Sequence, residues 1–190
     1  MKKLRNSIEN ILDSSNCDYG FIFKDLATGA FIEMNSDERF NSASIIKLFY
    51  LYEALCQVDK KVLFLDDIFL LEGKEKVGGD GVLNMFHDDL ELTLKDLLTL
   101  MISISDNTAT NILFDILGKD NINKSMNNID IKDTLIARKL MRVIPGVYNY
   151  TSAKDTSRIL EELFISNTLS KDSCKLAVDI LKLQKHNESL

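Results

Sequence analysis

The chain has 190 residues, 45% apolar and 27% charged, with 8 glycines and a single proline. This composition suits a globular domain that buries a core without disulfides or structural metal, and it excludes collagen-like, linker-rich and Pro-rich disordered classes. A net charge of −6 argues against nucleic-acid binding, which needs a basic stripe to neutralise phosphates.

The first element is a helix over residues 4–12, because Leu4, Ile8, Ile11 and Leu12 share one face. Lys2 and Lys3 resemble the start of a signal peptide, but Asn6, Ser7, Glu9 and Asn10 stand where its apolar stretch belongs. No apolar run approaches the roughly 18 residues of a membrane span. The expectation is therefore a chain without an export signal or membrane span, cytoplasmic as written and extracytoplasmic if a leader was removed.

Residues 18–25, rich in aromatic and β-branched side chains, read as a strand. Ala27, Thr28 and Gly29 form a turn, and residues 30–34 read as a second strand, closing a β-hairpin. Beyond it the pattern becomes helical almost everywhere. Segments 44–57, 93–104, 108–117, 119–127, 152–165 and 171–185 carry apolar faces of 3.6-residue period. Thr93 with Asp96 makes a capping box, and Gly118 closes the helix before it. Nothing after Gly146 looks like a strand. The expected fold class is α+β, mainly helical: residues 1–43 form an N-terminal helix and hairpin, residues 44–190 a helical lobe, and the two make one structural unit. A lone hairpin is marginal in water, and its open edges call for additional strands or a second copy.

Cys17, Cys56 and Cys174 are odd in number and lack CxxC spacing, so reduced, mostly buried thiols are expected, with no metal site and no cofactor. The two histidines, His87 and His186, lie far apart and carry no signature of a His-dependent triad.

Three segments could carry chemistry. In Ser44-Ile45-Ile46-Lys47 the i,i+3 spacing puts a hydroxyl and an ammonium on one helical face. A lysine whose pKa is depressed by burial can take a serine proton, and a serine opening a helix has backbone N–H groups to offer an oxyanion. Taken by itself Ser44 reads as a plain N-cap, and roughly 1.4 such Ser/Lys pairs arise by chance in this composition. Ser105-Asp106-Asn107 lies between two apolar helical segments; the tripeptide is rarer, though it is also ordinary turn and capping chemistry. Val77-Gly78-Gly79-Asp80-Gly81-Val82-Leu83 is a Gly-rich loop before a helix; without a following Gly-Lys-Ser/Thr it is no P-loop, and a tight turn between lobes accounts for it.

Together these residues resemble the serine β-lactamase and penicillin-binding protein superfamily, nearest to class A β-lactamases, whose signature is S-x-x-K with S-D-N and K-T-G. Ser44 and Lys47 match the first element, and Ser105 and Asn107 the second. The stretch from Val77 to Gly118 is close to the family throughout, and Tyr150-Thr151-Ser152-Ala153-Lys154-Asp155 resembles the helix start after the family's Ω-loop. The resemblance covers the chain from about residue 18 onward.

The resemblance implies that Ser44 attacks a lactam carbonyl to form an acyl-enzyme. It makes Lys47 the base or proton shuttle, Ser105 the relay to the leaving nitrogen, and Asn107 the group that positions Lys47 and the substrate amide. The implied ligand is a small-molecule β-lactam or a peptidoglycan-like amide. Two family elements are absent. Residues 139–158 hold no glutamate to activate a deacylating water, and no Lys-Thr-Gly or Lys-Ser-Gly occurs anywhere. The family carries that triad on a strand after the last helix, where it supplies a second oxyanion donor and a cation. Three explanations stand: a shortened product of a longer enzyme, a natural short form completed by a partner or by self-association through the hairpin edge, or a late segment that supplies the strand. Weak or absent turnover is the expectation, with a non-turnover penicillin- or peptidoglycan-binding module, or an inactive self-associating remnant, as the rival readings.

Overall fold

The structure is a computed structural model that describes residues 2–186. The last four residues of the segment 44–190, read above as the helical lobe, lie outside the described residues.

Helix α1 (Lys2–Ser14) has the expected amphipathic face, yet none of its residues is fully buried. Strands β1 (Phe21–Lys24) and β2 (Phe31–Met34) form the expected hairpin, with Phe21 opposite Met34 and Lys24 opposite Phe31. The Asp25 carboxylate closes the turn, accepting the Ala27 N–H at 2.9 Å and the Thr28 hydroxyl at 2.6 Å. Gly29 then takes φ +72°, a conformation that suits glycine. Ile32 and Met34 are buried on one face of the ribbon, which Phe23 shares as the partner of Ile32, while Phe31 lies exposed on the other.

Helix α2 (Lys47–Asp59) is the centre of the molecule. Every residue from Phe49 to Gln57 is buried, as befits a helix surrounded by other elements. Helices α3 (Leu94–Ser103), α4 (Asn107–Leu117), α5 (Lys119–Asn128), α6 (Ala153–Ile165) and α7 (Lys171–Leu181) pack around it. Its buried polar side chains are partnered in part: Gln57 Nε2 donates to Glu53 Oε1 at 2.6 Å and to the Leu117 carbonyl at 3.0 Å, while the Tyr50 hydroxyl is buried without a hydrogen-bond partner. The helices start where side-chain caps place them. Thr93 and Asp96 form the expected capping box on α3, and Ser152 and Ser170 cap α6 and α7. Gly118, at φ +80°, ends α4 and opens α5.

Four expectations need correction. First, the chain holds strands beyond the hairpin. β3 (Phe40–Asn41) pairs antiparallel with β6 (Tyr150–Thr151), which lies after Gly146, and β4 (Ile68–Leu71) pairs with β5 (Leu90–Thr93). Two-residue strands show no periodicity, and the short apolar run 68–71 does not distinguish strand from helix. Second, the α-helix does not open at Ser44: residues Ala43–Ile46 form a 3₁₀ turn and α2 begins at Lys47. Third, the Gly-rich loop leads into a short 3₁₀ turn, Leu83–Met85, and not into a helix. Fourth, Cys17 is exposed, whereas Cys56 is buried.

The described residues thus form an α+β structure, mainly helical, with three two-stranded antiparallel sheets. No helix among the described residues is long and apolar enough to cross a membrane. An apolar groove of about 1020 Å³ runs between β1 and helices α6 and α7, lined among others by Phe21, Ile22, Ile45, Leu160 and Phe164.

Candidate active site

The 3₁₀ turn Ala43–Ile46 lifts Ser44 to the surface at the head of the most deeply buried helix. The next turn places Lys47 inside, at 2% exposure. Ala43 has φ +43°, a left-handed conformation costly for a residue with a Cβ, and it tightens the entry to that turn. Ser44 makes no side-chain cap on the helix. The plain N-cap reading therefore fails on geometry.

On the opposite wall, the short connection between α3 and α4 carries Ser105 at φ +57°. This strained backbone, at a cost of about 1–3 kcal/mol, turns both the carbonyl and the hydroxyl of Ser105 toward Lys47. Lys47 Nζ donates to the Ser105 carbonyl at 2.6 Å, to Ser105 Oγ at 2.7 Å, to Asn107 Oδ1 at 3.0 Å and to Ser44 Oγ at 3.2 Å. Ser105 Oγ in turn donates to Ser44 Oγ at 2.8 Å. Ser44, Lys47 and Ser105 thus close a triangle of polar atoms, and Asn107 buttresses its lysine corner. All four residues singled out in the sequence meet within hydrogen-bond reach.

The electrostatics suit proton transfer. Among the described residues no carboxylate lies within 4 Å of Lys47, so its ammonium is buried without an ion pair. Burial pushes its pKa down to about 8, against a weaker opposing pull from Asp80 and Asp106. Near neutral pH a usable fraction of this lysine is a free amine, able to accept a proton from the hydroxyl 3.2 Å away.

Asp106 holds the wall in place. It is 1% exposed, and its carboxylate accepts three backbone N–H groups: Val82 at 2.7 Å, Leu83 at 2.9 Å and Ala109 at 2.9 Å. The first two belong to the Gly-rich loop, so Asp106 ties that loop to the head of α4. The loop also wraps Asn107, whose Nδ2 donates to the Gly78 carbonyl at 3.3 Å and whose N–H donates to the Asp80 carbonyl at 3.0 Å. Glycine is required here. A Cβ on Gly79 would stand 2.6 Å from Asn107 Nδ2, and one on Gly81 would run into the Asp106 carboxylate. The loop read as a plain junction turn is therefore a brace for the site. Sequence reasoning missed this role, although two glycines around one aspartate were a visible signal.

Comparison with known proteins supplies the context. A sequence model of the "Beta-lactamase enzyme family" matches residues 3–190. Among solved structures, the fold is similar to a beta-lactamase from Sphaerobacter thermophilus at 32% identity and TM-score 0.85. That match covers 91% of this chain and 65% of the other. A mutant of PBP-A, in an acyl-enzyme complex with penicillin G, matches at 25% identity and TM-score 0.90, over 98% of this chain and 71% of its own. An ancestral class A beta-lactamase matches at 26% identity and TM-score 0.87, over 96% of this chain and 72% of its own. The chain thus spans about two thirds of the length of these relatives.

Proposed function

Because the chain belongs to the beta-lactamase enzyme family, we propose that it is a β-lactamase-like serine hydrolase in which Ser44 is acylated by β-lactams or related amides. The closed triangle of Ser44, Lys47 and Ser105 carries this reading.

The neutral amine of Lys47 takes the Ser44 proton, and Ser44 Oγ attacks the carbonyl carbon. The new C–O bond places negative charge on the carbonyl oxygen, which the Ser44 backbone N–H, in the 3₁₀ turn ahead of α2, stabilises. As the C–N bond breaks, Ser105 Oγ–H gives its proton to the leaving nitrogen and recovers one from the Lys47 ammonium. The serine proton ends on that nitrogen, and Lys47 is neutral again. Asn107 positions Lys47 through Oδ1 and holds the amide of the substrate's side chain.

Deacylation is the slow step in this proposal, because residues 139–158 contain no glutamate to activate water. The same feature favours a second reading, capture of penicillin-like or peptidoglycan-like ligands without turnover. A chromogenic cephalosporin tests both. The expected trace is a burst of about one equivalent of opened ring, then a much slower steady rate, with both phases absent in Ser44→Ala. Rapid steady turnover with no burst would contradict slow deacylation; colour change that survives Ser44→Ala would contradict the nucleophile.

We also propose that the hairpin mediates self-association. Among the described residues β1 pairs only with β2, leaving outer edges open beside exposed Phe23 and Phe31.

A further inference from the structure

The brace around Asn107 ends in a free carboxylate. Asp80 sits between Gly79 at φ +85° and Gly81 at φ +112°, and its carbonyl is fixed by the Asn107 N–H at 3.0 Å. The residue cannot drift from the site, because Gly81 is packed against Asp106 and Gly79 against Asn107. Its side chain is exposed, and among the described residues it forms no ion pair. Neighbouring lysines are engaged elsewhere: Lys76 with Asp88 at 2.5 Å, and Lys139 with Glu75 at 3.1 Å and with Asp115. The field of Asp80 does reach the site, since it is felt at Lys47.

A carboxylate is an odd neighbour for a site that receives anionic β-lactams. It adds repulsion where the net charge of −6 already works against anions. An uncompensated charge held rigidly at a site rim is a means of discrimination, because it favours one sign of ligand and disfavours the other.

We propose that Asp80 is a specificity residue, selecting substrates that carry a cation on the side-chain group lying over Asn107. An ammonium there is preferred over a neutral group, and a neutral group over a second carboxylate. This rests on the reading of Ser44 as nucleophile and of Asn107 as the holder of the substrate's side-chain amide.

Three penicillins provide a matched probe, with hydrogen, ammonium or carboxylate at the same side-chain carbon: penicillin G, ampicillin and carbenicillin. Their acylation rates are compared by intact-mass spectrometry at pH about 6.5, below the ordinary α-amino range, in low salt. The expected order is ampicillin, penicillin G, carbenicillin, with about 2–5-fold per step, the scale of one exposed charge pair. Asp80→Asn brings the three rates together and Asp80→Lys reverses their order. In about 1 M salt, where screening acts within about 3 Å, the wild-type differences shrink. Binding of the same three compounds to Ser44→Ala, measured by calorimetry, is the second readout and should follow the same order. Acylation at Ser44 with equal rates, or an order that survives Asp80→Asn, overturns the role of Asp80 alone. No acylation, but ordered binding that Asp80→Asn erases, overturns the nucleophile and leaves Asp80 standing. If neither acylation nor binding separates the three compounds, the proposal is wrong.

Discussion

At the scale of residues, the proposed chemistry turns on Lys47. A lysine is useful as a base only when burial makes its charged form expensive, and this one is buried without a carboxylate partner. Its pKa of about 8 fixes the sign of the pH dependence. In the proposed mechanism the active form is the free amine, so acylation by a ligand of constant charge should rise as pH increases through about 8 and then level off. Stopped-flow measurement between pH 6 and 10 checks this; a rate that falls across that interval would contradict the assignment. Lys47→Met removes the base and should lower acylation by about 10²–10⁴-fold, the usual range for a positioned general base. The Ser44/Lys47 and Ser105/Asn107 pairs were legible in the sequence, because each is a short-range pattern whose members must share a face or a turn. Asp106's grip on Val82 and Leu83 was not legible. It joins residues more than twenty positions apart, and it depends on backbone angles that no local pattern encodes.

At the scale of elements, most of the helical framework was legible because caps mark the ends. The Thr93/Asp96 box, Gly118 and the Asp155-containing helix all stand where the sequence put them. The short strands were not legible. Residues 68–71 and 90–93 pair only because the excursion over residues 72–89 returns to them, and β3 and β6 are too short to alternate. That excursion contains the brace loop, so the β4–β5 pair brings the loop back to the head of α4. Rigidity of the loop is then a condition for Asn107 to hold Lys47. Gly81→Ala puts a Cβ into the Asp106 carboxylate and forces φ +112° on an L side chain. The expected cost is about 2 kcal/mol, or roughly 4–8 °C in melting temperature, together with slower acylation. Gly146→Ala is the control, since nothing lies within 4 Å of the added Cβ although φ is also positive. Equal melting of the two variants would show that backbone strain, not the brace contact, sets the cost.

At the scale of the whole molecule, two regions differ in how well they are packed. The helices around α2 form a continuous core, while α1 buries nothing fully and the hairpin leaves its edges open. The apolar groove beside β1 adds exposed Leu26, Ile45, Leu160 and Phe164 to the same side. Contiguous apolar surface next to an unpaired strand is a pairing hazard in water. Light scattering should therefore show molar mass rising with concentration, and Phe31→Lys, which puts a charge on the exposed face of the hairpin, should lower it. A wild-type protein that stays monomeric at every concentration would contradict self-association. The expected shortage of strands held in part: the chain has more strands than the sequence suggested, yet among the described residues none adds to the hairpin.

Acylation of Ser44 is tested by intact-mass spectrometry with peptide mapping after incubation with penicillin G. Ring opening releases no fragment, so the expected result is a mass gain of one whole penicillin, located on the peptide that contains Ser44 and absent from Ser44→Ala. No adduct on the wild-type protein, or an adduct that persists in Ser44→Ala, would contradict it.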